Sequence, residues 1–184
     1  HSFLSHNMSN FKSNIPKFYA FKFFVSLHFI GGVLVPFFTD WGGINFTQVM
    51  ILQSLFMFFI FIFEVPTGVI ADYFGRKQSI ILGGAFSVLT PLVYVSAPHF
   101  YIFVIGELLW AISAALFSGA GEALIYDSLK KMRKTEDSKK VFARSESFGL
   151  AAIMVAAPIG SLIAAYLGLQ APMILIAVPA TIAT

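Results

Sequence analysis

Gly68-Val69-Ile70-Ala71-Asp72-Tyr73-Phe74-Gly75-Arg76-Lys77 lies between two long apolar runs. Gly68, near the end of the first run, removes a side chain where another helix can approach closely, and Gly75 permits the tight backbone reversal of a short loop. Asp72 falls at the helix end, where a membrane gives way to water. Arg76 and Lys77 put positive charge just beyond the apolar run, which marks that side as cytoplasmic. The stretch therefore reads as the joint between two membrane-spanning helices. A plain turn with topogenic charges is the blander alternative.

Working outward, the composition leaves little room for a soluble globular domain. The 184 residues are 58% apolar and 11% charged, with a mean hydropathy of +0.82, which is the profile of a polytopic membrane protein. The 22 phenylalanines fall within apolar runs and fit lipid-facing helices. No cysteine is present, which excludes disulfides and cysteine metal sites. The fold class expected is an all-α, polytopic membrane helix bundle.

Residues 1–18 read as a polar, cytoplasmic amino-terminal segment in which Met8 is a candidate start. No small-residue cleavage site follows a short apolar core, so the first run is expected to be a retained helix over about 19–38 rather than a signal peptide. Lys22 can snorkel at its inner end, and His28 falls near mid-depth beside Gly31-Gly32. Further helices are expected at about 46–71, 79–95, 100–126 and 148–167, so that the bundle domain covers 19–184. Residues 127–144 form the longest connector. Pro36, Pro66, Pro91 and Pro158 are expected to kink their spans. A sixth run begins near Ala171 and shows 14 residues, about 21 Å of helix where a bilayer core needs about 30 Å. The sequence is expected to continue past Thr184.

The 12 basic residues set the topology. Lys12, Lys17 and Lys22 precede or open the first helix, and Arg76 and Lys77 follow the second. Lys130, Lys131, Arg133, Lys134, Lys139, Lys140 and Arg144 fall between the fourth and fifth. The connectors on the opposite side carry none, so the amino terminus and both basic connectors are expected in the cytoplasm. Glu136 and Asp137 break the field of the long connector, which argues against nucleic acid as a partner and leaves anionic lipid as a contact.

Ionisable residues within spans are costly, about 2.5–3.5 kcal/mol at the centre of a helix, and are functional candidates for that reason. Glu64 and Glu107 are the two clear cases. Glu64 is expected about 8 Å from mid-helix toward the cytoplasm and Glu107 about 9 Å toward the outside, too far apart for a direct pair. Glu64, Gly68 and Asp72 recur every four residues and share one face of the second helix. Glu64 is either a proton carrier, a latch residue or a structural carboxylate bonded to a neighbouring helix. Ala111, Ala115, Ser118 and Gly119 form a small-residue stripe expected to permit close packing of the fourth helix.

The order glycine, three residues, aspartate, two residues, glycine, arginine and lysine in the opening stretch resembles motif A of the major facilitator superfamily, between its second and third helices. The resemblance implies that this chain is the amino-terminal six-helix half of such a transporter, with the sixth helix truncated. It also implies that Gly68, Asp72, Gly75, Arg76 and Lys77 belong to a charge network latching the two halves in one state, with Glu122 or Asp127 as the partner of Arg76. Tyr73 stands where a basic residue is common, so the network is expected to be weaker by one cation. Gly106-Glu107-Leu108-Leu109-Trp110 resembles motif B with the sign reversed at Glu107, where arginine is usual. Glu107 is thus a candidate for binding a proton or meeting a cationic substrate, against the plainer reading of a buried structural carboxylate. The first helix lines the cavity in this superfamily, which makes His28 either a substrate or proton site or a histidine satisfied by a neighbour. Gly149 and Ala157-Pro158-Ile159-Gly160-Ser161 are similar to a degraded motif C, the element associated with antiporters.

The function these readings imply is secondary active transport of a small-molecule substrate across the plasma membrane by alternating access. Proton-coupled efflux of an amphipathic compound is the leading form and nutrient uptake the alternative. The connector lacks the glutamate, six residues, arginine pattern of sugar porters. No metal, cofactor or catalytic residue is expected. A membrane-embedded enzyme needs converging groups, and His1, His6, His28 and His99 are scattered. A non-transporting scaffold that keeps the fold is the remaining class.

Overall fold

The computed structural model describes residues 2–183, with side chains from residue 13 onward. The side chains of His1, His6, Met8, Lys12 and Thr184, which entered the expectations above, lie outside that range. The described residues form helices and short connections: α1 (Ser2–Val25), α2 (Phe46–Phe74), α3 (Arg76–Ser96), α4 (Phe100–Lys131), α5 (Ser138–Leu167), α6 (Gln170–Leu175) and α7 (Ala177–Ala183). Four helical stretches among them are long and apolar enough to cross a membrane, or five if the bent segment after α1 counts with it.

α4 is the central helix. α2 and α3 pack along it, α1 packs on α5, and much of α2 and α5 faces outward through large apolar side chains such as Phe61, Val65, Met154 and Leu162. Such faces suit lipid contact, because hydrocarbon solvates them as well as a protein core does. α2 begins with a reciprocal cap. Asn45 Oδ1 accepts the Gln48 N–H at 2.9 Å while Gln48 Oε1 accepts the Asn45 N–H at 3.0 Å, which satisfies two otherwise orphaned donors. One residue, Gly75, joins α2 to α3 at φ 95°, a conformation glycine adopts without a Cβ penalty.

The first span is not the continuous helix expected over 19–38. α1 ends at Val25; a 3-10 turn (Phe29–Gly32), a short α turn (Leu34–Pro36) and a π turn (Phe37–Trp41) follow, with a 65° bend. The cause is close packing against α5. A Cβ on Gly160 would overlap the Phe29 carbonyl, and one on Gly32 would meet Ser161 and the Ala157 carbonyl. Backbones this close leave no room for a regular side-chain-clad helix. Part of the irregular stretch is buried in protein and part lines a cavity, the two settings in which a membrane tolerates it. Ile30, Phe37 and Phe38 are buried there with Tyr94, Phe103 and Met173, and the Phe38 and Phe103 rings sit 5.1 Å apart.

Other boundaries also differ. The polar segment ahead of the first span is helical from Ser2, and the long connector shrinks to 132–137, with a 3-10 turn at Thr135–Asp137. Charged residues extend a helix into water as readily as they form a loop, so hydropathy marks where a span leaves the apolar zone, not where its helix stops. Pro66, Pro91 and Pro158 are carried inside helices. The last apolar run is divided in two at Ile176.

The small-residue stripe on α4 is divided too. Ala111 and Ala115 are buried, but Ser118 and Gly119 are exposed and nothing lies near Gly119. The close seam lies instead between α3 and α4. The Gly83 carbonyl accepts from Ser113 Oγ at 2.7 Å, Ser79 Oγ donates to the Leu116 carbonyl at 3.3 Å, and the Phe117 ring covers Gly83. A Cβ on Gly68 would meet nothing, and among the described residues no helix lies against that face of α2.

Candidate functional site

At the Gly75 end of the bundle, three charges from three helices meet. Arg76 Nη2 lies 3.7 Å from Asp72 Oδ1, one turn back across the joint, and Arg76 Nε lies 3.4 Å from Asp127 Oδ2 on α4. Each charge is badly placed for its own helix. Arg76 is a cation at the first residue of α3, while Asp72 and Asp127 are anions within or near the last turns of α2 and α4. The macrodipole disfavours all three placements by a few tenths of a kcal/mol or more. Their mutual contact is what compensates, so helix stability alone does not explain them.

Of the two candidate partners of Arg76, the structure brings Asp127 to it and leaves Glu122 exposed without an ion pair among the described residues. Lys77 and Tyr73 are also exposed, and the Tyr73 ring packs edge-on against Phe74 at 5.2 Å. Glu64 is exposed on the same open face of α2 as Gly68 and Asp72.

A second polar cluster lies far along the bundle. From Asp127 back to Glu107 is 20 residues of α4, about 30 Å at 1.5 Å per residue. Glu107 is 4% exposed and accepts a hydrogen bond from the Tyr94 hydroxyl on α3. His28 sits in the unwound stretch after α1, its ring bonded to the Val25 backbone and set edge-on to Trp110 at 5.3 Å. Both line a cavity of about 190 Å³ with Gln53, Phe56, Tyr94 and Trp110. A second cavity of about 170 Å³ shares His28, Phe56 and Trp110 and adds Ser87 and Ser113. The arrangement offers a carboxyl, an imidazole, an amide and a phenol within aromatic walls. That is a setting for a small amphipathic group, with donors and acceptors to fix its orientation.

Two of the three residues proposed from sequence for proton or substrate binding, His28 and Glu107, are thus neighbours of one cavity; Glu64 is apart from it. Sequence reasoning missed Gln53 and Tyr94. Tyr94 is a polar aromatic near the end of an apolar run, and periodicity does not reveal which helix it faces. It also missed the partner of Lys22, whose Nζ lies 2.5 Å from Glu146 Oε1 on α5.

Long apolar helices that expose large apolar side chains, with Glu107 and His28 turned toward a cavity, define a multi-pass integral membrane protein. The sequence profile of the Major Facilitator Superfamily matches residues 18–184, and the chain belongs to that superfamily of transporters. It is 35% identical over 78 residues to the uncharacterized MFS-type transporter YxaM of Bacillus subtilis, covering 42% of this chain and 20% of that protein. It is 31% identical over 98 residues to an uncharacterized transporter of Buchnera aphidicola subsp. Schizaphis graminum, covering 53% of this chain and 24% of that one. The matched stretches thus span about a quarter or less of these relatives' lengths.

Proposed function

We propose that this chain supplies the amino-terminal, six-helix half of a secondary active transporter in the plasma membrane, with its amino terminus in the cytoplasm. A carboxyl-terminal half completes the solute site, and the two halves alternate in access. The single observation that carries this reading is Arg76 held between Asp72 and Asp127 at the joint of α2 and α3. In this reading the three charges, with Gly68, Gly75 and Lys77, latch one conformation. The open face of α2 that bears Glu64 and Gly68 is where the other half docks, and the His28–Glu107 cavity forms part of the substrate path.

The form of transport we favour is proton-coupled export of a small amphipathic compound. Glu107 and His28 are groups able to take up and release a proton beside an aromatic wall, and the glycine-proline segment around Pro158 is similar to an antiporter element. The test is proton flux, followed by a pH-sensitive dye, from proteoliposomes of the full-length protein challenged with amphipathic cations and neutral compounds. Arg76→Asp and Asp127→Arg should each lower flux about tenfold, a loss of about 1.4 kcal/mol, and the double exchange should restore it. Failure of the double exchange opposes the latch. A Glu107→Gln protein with unchanged pH dependence and substrate range opposes the cavity role. Substrate and proton moving in the same direction would make the protein a symporter for uptake.

A further inference from the structure

We propose that the basic end of the bundle holds one anionic phospholipid, its phosphate among Lys134, Lys140 and Arg144 and the upper part of its acyl chains against Ile15, Tyr19 and Val141. The site is independent of the transport reading above. It is a cavity of about 270 Å³ where α1, the end of α4 and the start of α5 meet.

Local structure explains why these cations converge. Asp137, Lys140, Val141 and Arg144 stand at i, i+3, i+4 and i+7, which is one face of the α5 start. Lys134 approaches from the other side of the 3-10 turn. Among the described residues the side chains of Lys134, Lys140 and Arg144 form no ion pair or hydrogen bond. Asp137 is the one acid on the cavity wall, so the wall keeps a net charge of two positives. A dianionic or monoanionic phosphate matches that better than the zwitterionic headgroup it would otherwise meet, and a guanidinium can engage it through two parallel bonds.

The floor decides between a lipid and a free anion. It is a continuation of the buried cluster of Phe18, Ile125, Leu129 and Val141, against which Ile15, Tyr19 and Met132 pack. It is held in place by Asn14 Nδ2 donating to Ser128 Oγ at 3.0 Å and by the Tyr19 ring stacked on Phe148 at 5.2 Å. A soluble phosphate ester gains nothing from an apolar floor. A phospholipid needs both parts, with the cations at headgroup depth and the apolar surface immediately below.

The test is to place the full-length protein in nanodiscs of phosphatidylglycerol and phosphatidylcholine in equal amounts and count retained lipids by native mass spectrometry. The wild-type protein should keep about one phosphatidylglycerol per chain beyond the bulk ratio, and Lys134→Gln, Lys140→Gln, Arg144→Gln combined should lower that retention at least about tenfold. Lys130→Gln, Arg133→Gln, Lys139→Gln combined removes equal charge away from the cavity and should leave it intact. Lys134→Arg, Lys140→Arg, Arg144→Lys combined should also retain the lipid, which separates loss of the site from loss of the fold. Equal loss in both neutralised proteins, or no enrichment in the wild type, overturns the proposal in favour of diffuse attraction. Displacement of the lipid by millimolar inorganic phosphate or glycerol phosphate overturns the lipid as occupant.

Discussion

Replacing Gly160 by alanine introduces a single methyl group, and in the structure that methyl has nowhere to go. A Cβ built there overlaps the Phe29 carbonyl oxygen and lies 2.6 Å from the carbonyl carbon and 3.0 Å from its Cα. All three are backbone atoms, so the clash cannot be relieved by turning a side chain; α5 and the 3-10 turn must separate by roughly an ångström. Forced overpacking costs about 1–3 kcal/mol, set against a gain of about 0.5–1 kcal/mol for alanine over glycine inside a helix. Gly119→Ala is the control, since Gly119 is also inside a helix but has nothing within 4 Å. The expected result is a Gly119→Ala protein as stable as the parent or slightly more so, and a Gly160→Ala protein less stable than Gly119→Ala by about 1–3 kcal/mol. The measurement is thermal or denaturant unfolding of the full-length protein in detergent, with both variants scanned at the same concentration. A Gly160→Ala protein as stable as Gly119→Ala would refute the contact between α5 and the broken first span.

Two further outcomes follow from the same geometry. Tyr94→Phe removes the hydroxyl that faces buried Glu107, leaving a carboxyl without its donor, and should destabilise by about 1–3 kcal/mol; combining it with Glu107→Leu should cost less than the sum of the two single changes, as read from unfolding midpoints in a double-mutant cycle. The Lys22–Glu146 pair is partly exposed, with side chains 29% and 65% accessible, so a double-alanine cycle should give a coupling of about 0.2–1 kcal/mol that shrinks as salt is raised.

The helices along this chain were legible because a run of about 20 apolar residues has few alternatives in water or lipid. Gly75 was legible as well, since a single glycine between a long apolar helix and two cations has few uses other than a reversal. The break after Val25 was not. Hydropathy averages over a window, and residues 26–33 are as apolar in an unwound turn as in a helix; what unwinds them is the proximity of Gly160, more than 120 positions away. The partner of Arg76 illustrates the same limit. Glu122 and Asp127 are five residues apart, which turns them about 140° from each other on a helix, and only the rotation of α4 in the bundle selects between them. The cavity shared by His28, Gln53, Tyr94 and Glu107 needs four segments to be set side by side, and no one-dimensional pattern encodes that.

The one-residue joint at Gly75 also has a mechanical side. Consecutive Cα atoms are 3.8 Å apart, so a single linking residue lets the facing ends of α2 and α3 move apart by only about 7 Å. The two ends cannot part, so any tilt between the helices must be taken up by rotation about the Gly75 backbone. The link between α4 and α5 is different: residues 132–137 lie between them, enough chain to span about 20 Å when drawn out. Any rearrangement of this bundle is therefore expected to keep the facing ends of α2 and α3 together at Gly75 and to take up larger separations at the turn beyond Lys131.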